Sequence, residues 1–312
     1  MEPAPFRTDL AEGPDNVLSE WRTSHDGLRL RVTIWPVNDA VGTILLFTGR
    51  TEYAEKYGRV ANDLTSAGYL IATIDWRGQG KSERIAEDPR LGHIEDFPDF
   101  QLDVATLVQA AQDHDLPEPW YLIAHSMGGC IGLRALIEGL PVERAVFSAP
   151  MWGLHMPLVV RPLPFVLPPV MRAVGRGTDF APGTRPENYV VYSGFEDNML
   201  TTDLDTYEFM ARHAEAGPDF ALGGPSVDWV GRATTENRYL ASCPRPAKPV
   251  LTFFGSDEQI VSISAIKAMH DDWPSATLRL IEGARHELMM EAPKFRNEFI
   301  TESVEFLSPV QT

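Results

Sequence analysis

The run Leu122-Ile123-Ala124-His125-Ser126-Met127-Gly128-Gly129 constrains this chain more than any other. An apolar, β-prone stretch from Trp120 to His125 passes through one serine into a helical pattern over Met127 to Gly139, with small residues two places before and after the serine. A strand and a helix joined so sharply need Ala124 and Gly128 to be small, because their backbones pass close together. The same turn lifts the Ser126 hydroxyl to a helix N-terminus. The spacing is that of a nucleophile elbow, with Ala124 where glycine is usual, and Ser126 is the candidate nucleophile.

Further buried strands are expected at Thr43 to Thr48, Tyr69 to Asp75, Arg144 to Ala149, Pro249 to Gly255 and Thr277 to Glu282. Between the first two, Tyr53, Tyr57, Val60, Ala61 and Leu64 recur at helical spacing and Gly68 stops the pattern; Phe100, Val104, Leu107, Val108 and Ala111 form a second helical face. Strand and helix alternate, which predicts an α/β fold with a mostly parallel central sheet flanked by helices. About a hundred residues of different texture, rich in Pro, Gly and aromatics, interrupt the alternation. The expected organisation is a core of residues 1–149 and 246–312 with a helical cap (lid) insertion at 150–245 that chooses the substrate.

A nucleophilic serine needs a base to take its proton and a carboxylate to orient that base. After the strand Val250 to Phe254, the turn Gly255-Ser256-Asp257-Glu258-Gln259-Ile260-Val261 presents two adjacent carboxylates, and Gly283-Ala284-Arg285-His286-Glu287 follows the last strand. Strand-end loops are where catalytic groups of open α/β sheets collect. His286 is the candidate base. Position within the turn favours Glu258 as the acid, with Asp257 the alternative. Gly49 follows the first buried strand and lets its backbone approach a substrate, so the N–H groups of Arg50 and Met127 are the candidate oxyanion donors. For the Arg50 side chain the expectation is an ion pair with neighbouring Glu52; contact with a substrate phosphate or carboxylate is the other reading. His125 is expected to pack rather than to catalyse.

Other constellations fail on inspection. Arg77-Gly78-Gln79-Gly80-Lys81-Ser82 ends like a nucleotide-binding loop but has Asp75 where the earlier glycine is required, and the remaining histidines show no metal spacing. No metal and no cofactor are expected. With 27 basic against 44 acidic residues the net charge is -17, which opposes a nucleic-acid partner. Two distant cysteines and an acidic N-terminus without a signal-peptide pattern suit a cytoplasmic protein, expected at most peripheral to the inner membrane face. The apolar run Met151 to Met171 is too broken by proline to span a membrane, but transient contact with a membrane surface through the cap is expected. Trp152, Phe165, Phe180, Tyr189 and Tyr192 are expected either to line an acyl-chain channel or to form the cap's own core. The sequence carries no signal for oligomeric state.

Thr48-Gly49-Arg50-Thr51-Glu52, Asp75 to Ser82, Leu91-Gly92-His93 and the elbow together resemble bacterial lysophospholipases and the related monoacylglycerol lipases of the α/β-hydrolase fold. Ser148 to Gly153, Gly223 to Val230 and Arg285-His286-Glu287 extend the resemblance over most of the chain from about residue 40. It implies a serine carboxylic-ester hydrolase acting on lysophospholipids or monoacylglycerols, a small-molecule acyl ester or lysolipid, through an acyl-enzyme on Ser126, with Ser126, Glu258 and His286 as the triad and Arg50 and Met127 as the oxyanion hole. Thr48 stands where monoacylglycerol lipases have histidine, and Glu258 where most relatives have aspartate. The alternatives are a short-chain carboxylesterase, an aminopeptidase or amidase using Glu196, Asp197 or Asp203 for a substrate amine, and a dead hydrolase that only binds.

Overall fold

The structure is a computed structural model that describes residues 2–308. Nine strands form one sheet among the described residues: β1 (Glu2–Pro3), β2 (Leu18–Thr23), β3 (Arg29–Trp35), β4 (Gly42–Phe47), β5 (Tyr69–Asp75), β6 (Trp120–His125), β7 (Arg144–Ser148), β8 (Val250–Gly255) and β9 (Ala276–Ile281). Their spatial order is β1-β2-β3-β5-β4-β6-β7-β8-β9. From β5 to β9 every neighbouring pair is parallel, and the first three strands close the other edge antiparallel. The helices are α1 (Thr8–Ala11), α2 (Gly58–Ser66), α3 (Phe100–Asp113), α4 (Met127–Ile137), α5 (Leu163–Ala173), α6 (Tyr189–Tyr192), α7 (Leu204–Glu215), α8 (Val227–Ser242), α9 (Ile263–His270) and α10 (Pro293–Leu307).

The central strands are covered on both faces, so they read as continuous apolar runs rather than alternating ones. Along β4, Leu45 and Phe47 pack with Val104 and Leu107 of α3 and Ile131 of α4, whereas Ile44 and Leu46 pack with Val60 and Leu64 of α2 and Phe299 of α10. The fold class is as the alternation predicts. The antiparallel strands β1 to β3 were not expected. Leu30, Val32 and Ile34 do alternate along β3, but the intervening Arg31 is fully buried, held by ion pairs to Glu55 at 2.5 Å and Asp75 at 2.7 Å.

Between β7 and β8 the chain leaves the sheet and forms α5 to α8. α7 and α8 begin at side-chain caps, Asp203 accepting from Thr206 N and Ser226 from Trp229 N. α5 carries Pro168 and Pro169 inside the helix and leaves Leu163, Val166, Val170 and, just beyond its end, Val174 exposed along one side. Among the described residues no helix is long and apolar enough to cross a membrane. Cys130 is buried and Cys243 half-buried, and both are free.

Candidate active site

β6 delivers Ser126 to the C-terminal edge of the sheet in a backbone conformation an L-residue rarely adopts, φ 50° and ψ -116°. Such strain persists only where the surroundings over-determine it. Gly128 shows how: a Cβ there would lie 2.3 Å from the carbonyl oxygen of Phe47, so only glycine lets α4 cross β4 at this angle. At the preceding small position, the Ala124 methyl faces Gly132, where a Cβ would sit 3.3 Å from it.

The loops after β8 and β9 bring the other candidates to the serine. His286 Nε2 is 2.9 Å from Ser126 Oγ, and His286 Nδ1 is 2.6 Å from Glu258 Oε2. All three side chains are buried. The other oxygen of Glu258 accepts from the backbone N–H groups of Ile260 at 2.6 Å and Val261 at 3.0 Å. Burial pushes this carboxyl up, but the facing imidazole and the two N–H donors outweigh it and hold Glu258 below the usual carboxylate range. Asp257 is exposed and accepts only from Ser256 Oγ among the described side chains. Of the two adjacent acids, Glu258 is the one that faces the histidine.

Met127 is the first residue of α4, so its N–H has no acceptor one turn back. In the loop after β4, Gly49 N donates to Glu52 Oε2 and Thr51 N to Gln79 Oε1, while Arg50 N between them has no acceptor among the described residues. Gln79 clamps the loop further, donating from Nε2 to the carbonyls of Gly49 at 2.8 Å and Glu52 at 3.0 Å. The stretch that mimics a nucleotide-binding loop thus supports the loop carrying Arg50.

Beneath these groups lies a buried charge network that sequence reasoning missed. Lys56 Nζ donates to Glu287 at 2.8 Å and also to Glu52, and Tyr57 Oη donates to Glu52 at 2.5 Å. His125 Nε2 lies 3.5 Å from Glu287 and its ring packs 4.8 Å from that of His286. Burial alone would lower the His125 pKa and raise that of Glu287; Glu287, assisted by Glu52, reverses the first, and Lys56, assisted by His125, reverses the second. Lys56 itself is pushed up to about 12 by Glu287 and Glu52 against the opposing effect of burial. Glu52, His125 and Glu287 also have ligand atoms close enough for one metal ion, but the Lys56 ammonium already bridges the two carboxylates. The Lys56–Glu52 spacing of four residues was a visible cue; the partner 231 residues away was not.

Ser126 and His286 open into a cavity of about 370 Å³, near the lower end of the roughly 300–1,000 Å³ usual for ligand sites. Gly49 and Arg50 line it from the sheet side, and Tyr189, Val190, Tyr192, Met199, Leu200 and Met210 from the segment between β7 and β8. Three expectations require correction. Trp152 is not at the cavity: it is buried against Phe147 and Trp273, with Nε1 donating to Gly129 O, because it turns down into the core behind the elbow. Phe165 is not there either: it is 42% exposed on α5, beneath the Arg238 guanidinium. Arg50 makes no ion pair with Glu52, whose carboxylate is taken by Gly49, Lys56 and Tyr57; its Nη1 instead donates to Gly223 O at 2.9 Å.

The segment between β7 and β8 is stitched to the histidine loop. Arg285 Nη1 donates to the carbonyls of Asn198 at 2.9 Å and Thr201 at 3.0 Å, Glu287 N donates to Leu200 O at 2.8 Å, and buried Glu291 accepts from Thr202 N and Arg285 N.

Residues 38–293 match the family described as serine aminopeptidase, S33. Lysophospholipase L2 of Escherichia coli (strain K12) is 29% identical over 287 residues, covering 85% of this chain and 80% of that protein. A monoacylglycerol lipase of Mycolicibacterium smegmatis is 32% identical over 289 residues, covering 88% and 94%. The solved structure of a soluble variant of monoglyceride lipase from Saccharomyces cerevisiae, in complex with a substrate analog, shares the fold with a TM-score of 0.74 at 21% identity, over 99% of this chain and 98% of that one.

Proposed function

Because the chain belongs to the serine aminopeptidase S33 family, a family of serine hydrolases on the α/β-hydrolase fold, we propose that it hydrolyses the fatty-acyl ester of lysophospholipids or monoacylglycerols through Ser126. The observation that carries this reading is the unbroken relay from Glu258 through His286 to Ser126 at the wall of a cavity with an apolar lining. Ser126 Oγ attacks the acyl carbon as its proton passes to His286 Nε2, and Glu258 stabilises the imidazolium through Nδ1. The N–H groups of Arg50 and Met127 hold the oxyanion. Collapse expels the glycerol-side alcohol, which takes the proton from His286; water, deprotonated by the same imidazole, then releases the fatty acid.

Residues 150–245 act as the cap in this reading, since Tyr189, Tyr192, Met199 and Leu200 form the wall on which an acyl chain would lie. The exposed aliphatic side of α5 would rest on the lipid surface from which the substrate is drawn. An aminopeptidase needs an acid for the substrate amine. Glu196, Asp197 and Asp203 do not line the cavity, and Asp203 is engaged as the cap of α7; of the acids that do line it, Glu52 and Glu287 are bonded to Lys56 and only Glu187 is exposed.

The test is turnover by wild type and Ser126→Ala of p-nitrophenyl esters of increasing chain length, lysophosphatidylcholine, 1-monopalmitoylglycerol and aminoacyl amides. Long-chain glycerolipid turnover that disappears in the variant is expected. Activity confined to short esters or to amides would refute the lipid assignment.

A further inference from the structure

Two cations line the cavity, and the protein treats them differently. Lys56 is bracketed by Glu52 and Glu287. Arg50, the one guanidinium in the lining among the described residues, makes no salt bridge there. Elsewhere, buried Arg31 is matched by Glu55 and Asp75, and buried Arg77 by Asp103. Arg50 is half-buried, and a cation that has lost part of its water without gaining a counter-charge is disfavoured, while in a chain of net charge -17 acidic partners are plentiful. At Arg50 none is supplied.

The position is built, not incidental. Arg50 Nη1 donates to Gly223 O at 2.9 Å, the guanidinium lies 5.6 Å from the centre of the buried Trp229 ring, and a Cβ on Gly92 would sit 2.6 Å from that Nη1. Gly92 thus leaves the slot the side chain occupies, and the remaining donors have no protein partner among the described residues. Burial draws the Arg50 pKa down to about 10, so the charge persists at neutral pH. Exposed Glu187 also lines the cavity and forms no salt bridge with Arg50.

We infer that the Arg50 side chain is the phosphate-recognition group of the site, binding the phosphodiester of a lysophospholipid whose acyl carbonyl rests on the backbone N–H of the same residue. The inference depends on the glycerolipid-hydrolase reading. In such a substrate the glycerol unit separates the scissile ester from the phosphate, so one residue can address both ends of it. A guanidinium also suits two phosphate oxygens at once, which an ammonium does not.

The experiment compares kcat/KM for 1-palmitoyl lysophosphatidylcholine and 1-monopalmitoylglycerol in wild type, Arg50→Gln and Arg50→Lys. The ratio of the two should fall at least tenfold in Arg50→Gln, mainly through KM, and recover partly in Arg50→Lys. Equal losses on both lipids would mean that Arg50 only supports the loop, and would overturn the inference while leaving the hydrolase reading intact. Should the variants not fold, inhibition of wild-type monopalmitoylglycerol hydrolysis decides. sn-Glycerol 3-phosphate should inhibit at least tenfold more tightly than glycerol. Parity with glycerol overturns the inference, and inorganic phosphate inhibiting as tightly as glycerol 3-phosphate overturns the headgroup assignment in favour of free phosphate. Wild type that cleaves neither lipid but does cleave short p-nitrophenyl esters would sink the lipid reading and this inference together.

Discussion

Replacing Glu287 by glutamine would remove one negative charge from the network under the candidate catalytic residues while nearly preserving volume. Two interactions change: the Lys56 bond at 2.8 Å and the His125 contact at 3.5 Å. Breaking a buried ion pair from one side typically costs about 3–5 kcal/mol, because the remaining charge stays buried. Lys56 keeps Glu52, and the introduced amide can still accept a hydrogen bond, so the lower end, about 3 kcal/mol, is expected. With a urea m-value near 3 kcal/mol per M, as suits a chain larger than the usual small-domain examples, the unfolding midpoint drops by about 1 M. Tryptophan fluorescence during urea titration reads this directly. The double variant Lys56→Met/Glu287→Leu removes one charge of each sign, leaves His125 3.9 Å from Glu52, and should lose less than Glu287→Gln alone. A midpoint shift below about 0.3 M for the single variant, or a double variant worse than the sum of its parts, would refute the argument.

Glu258→Gln keeps the shape of the acid but offers His286 Nδ1 an amide that cannot stabilise the imidazolium; kcat on a soluble ester should fall by about 10³–10⁴, with far-UV circular dichroism unchanged. Gly128→Ala places a methyl 2.3 Å from Phe47 O, and little soluble folded protein should be recovered on expression; a variant with wild-type Tm would contradict the packing given above. His270 has its pKa lowered to about 4 by burial, assisted by the charge of Arg245. Between about pH 4 and 6.5 its unfolded form binds more protons than its folded form, so its contribution to stability is full above 6.5 and lost as pH falls through 4. His270→Gln should flatten that part of the Tm–pH curve, and curves running parallel to wild type would count against it.

The parallel half of the sheet was legible because strands covered on both faces are written as short apolar runs, and the helices between them keep a 3.6-residue period. The antiparallel edge was harder to read because Arg31, with its charge neutralised inside by Glu55 and Asp75, disguises β3 as a polar segment. Ser126, Glu258 and His286 were readable from their order and strand-end positions. What the sequence concealed was the fate of side chains whose partners lie far along the chain. Glu52 is used up by Gly49, Lys56 and Tyr57, which leaves Arg50 without the neighbour its position suggested. Trp152 and Phe165 belong to an aromatic-rich insertion, but composition does not say which ring turns inward.

The two small residues flanking Ser126 answer to different obstacles. At Gly128 the obstacle is main chain, the carbonyls of Phe47 and Thr48, which no change of side chain can move aside. At Gly132 a Cβ would meet the Ala124 methyl at 3.3 Å and Leu122 Cδ2 at 3.0 Å, side-chain atoms that need to give by only a few tenths of an ångström. The strand side of the elbow therefore has slack that the helix side lacks: one small side chain can be accommodated at 124, and none at 128.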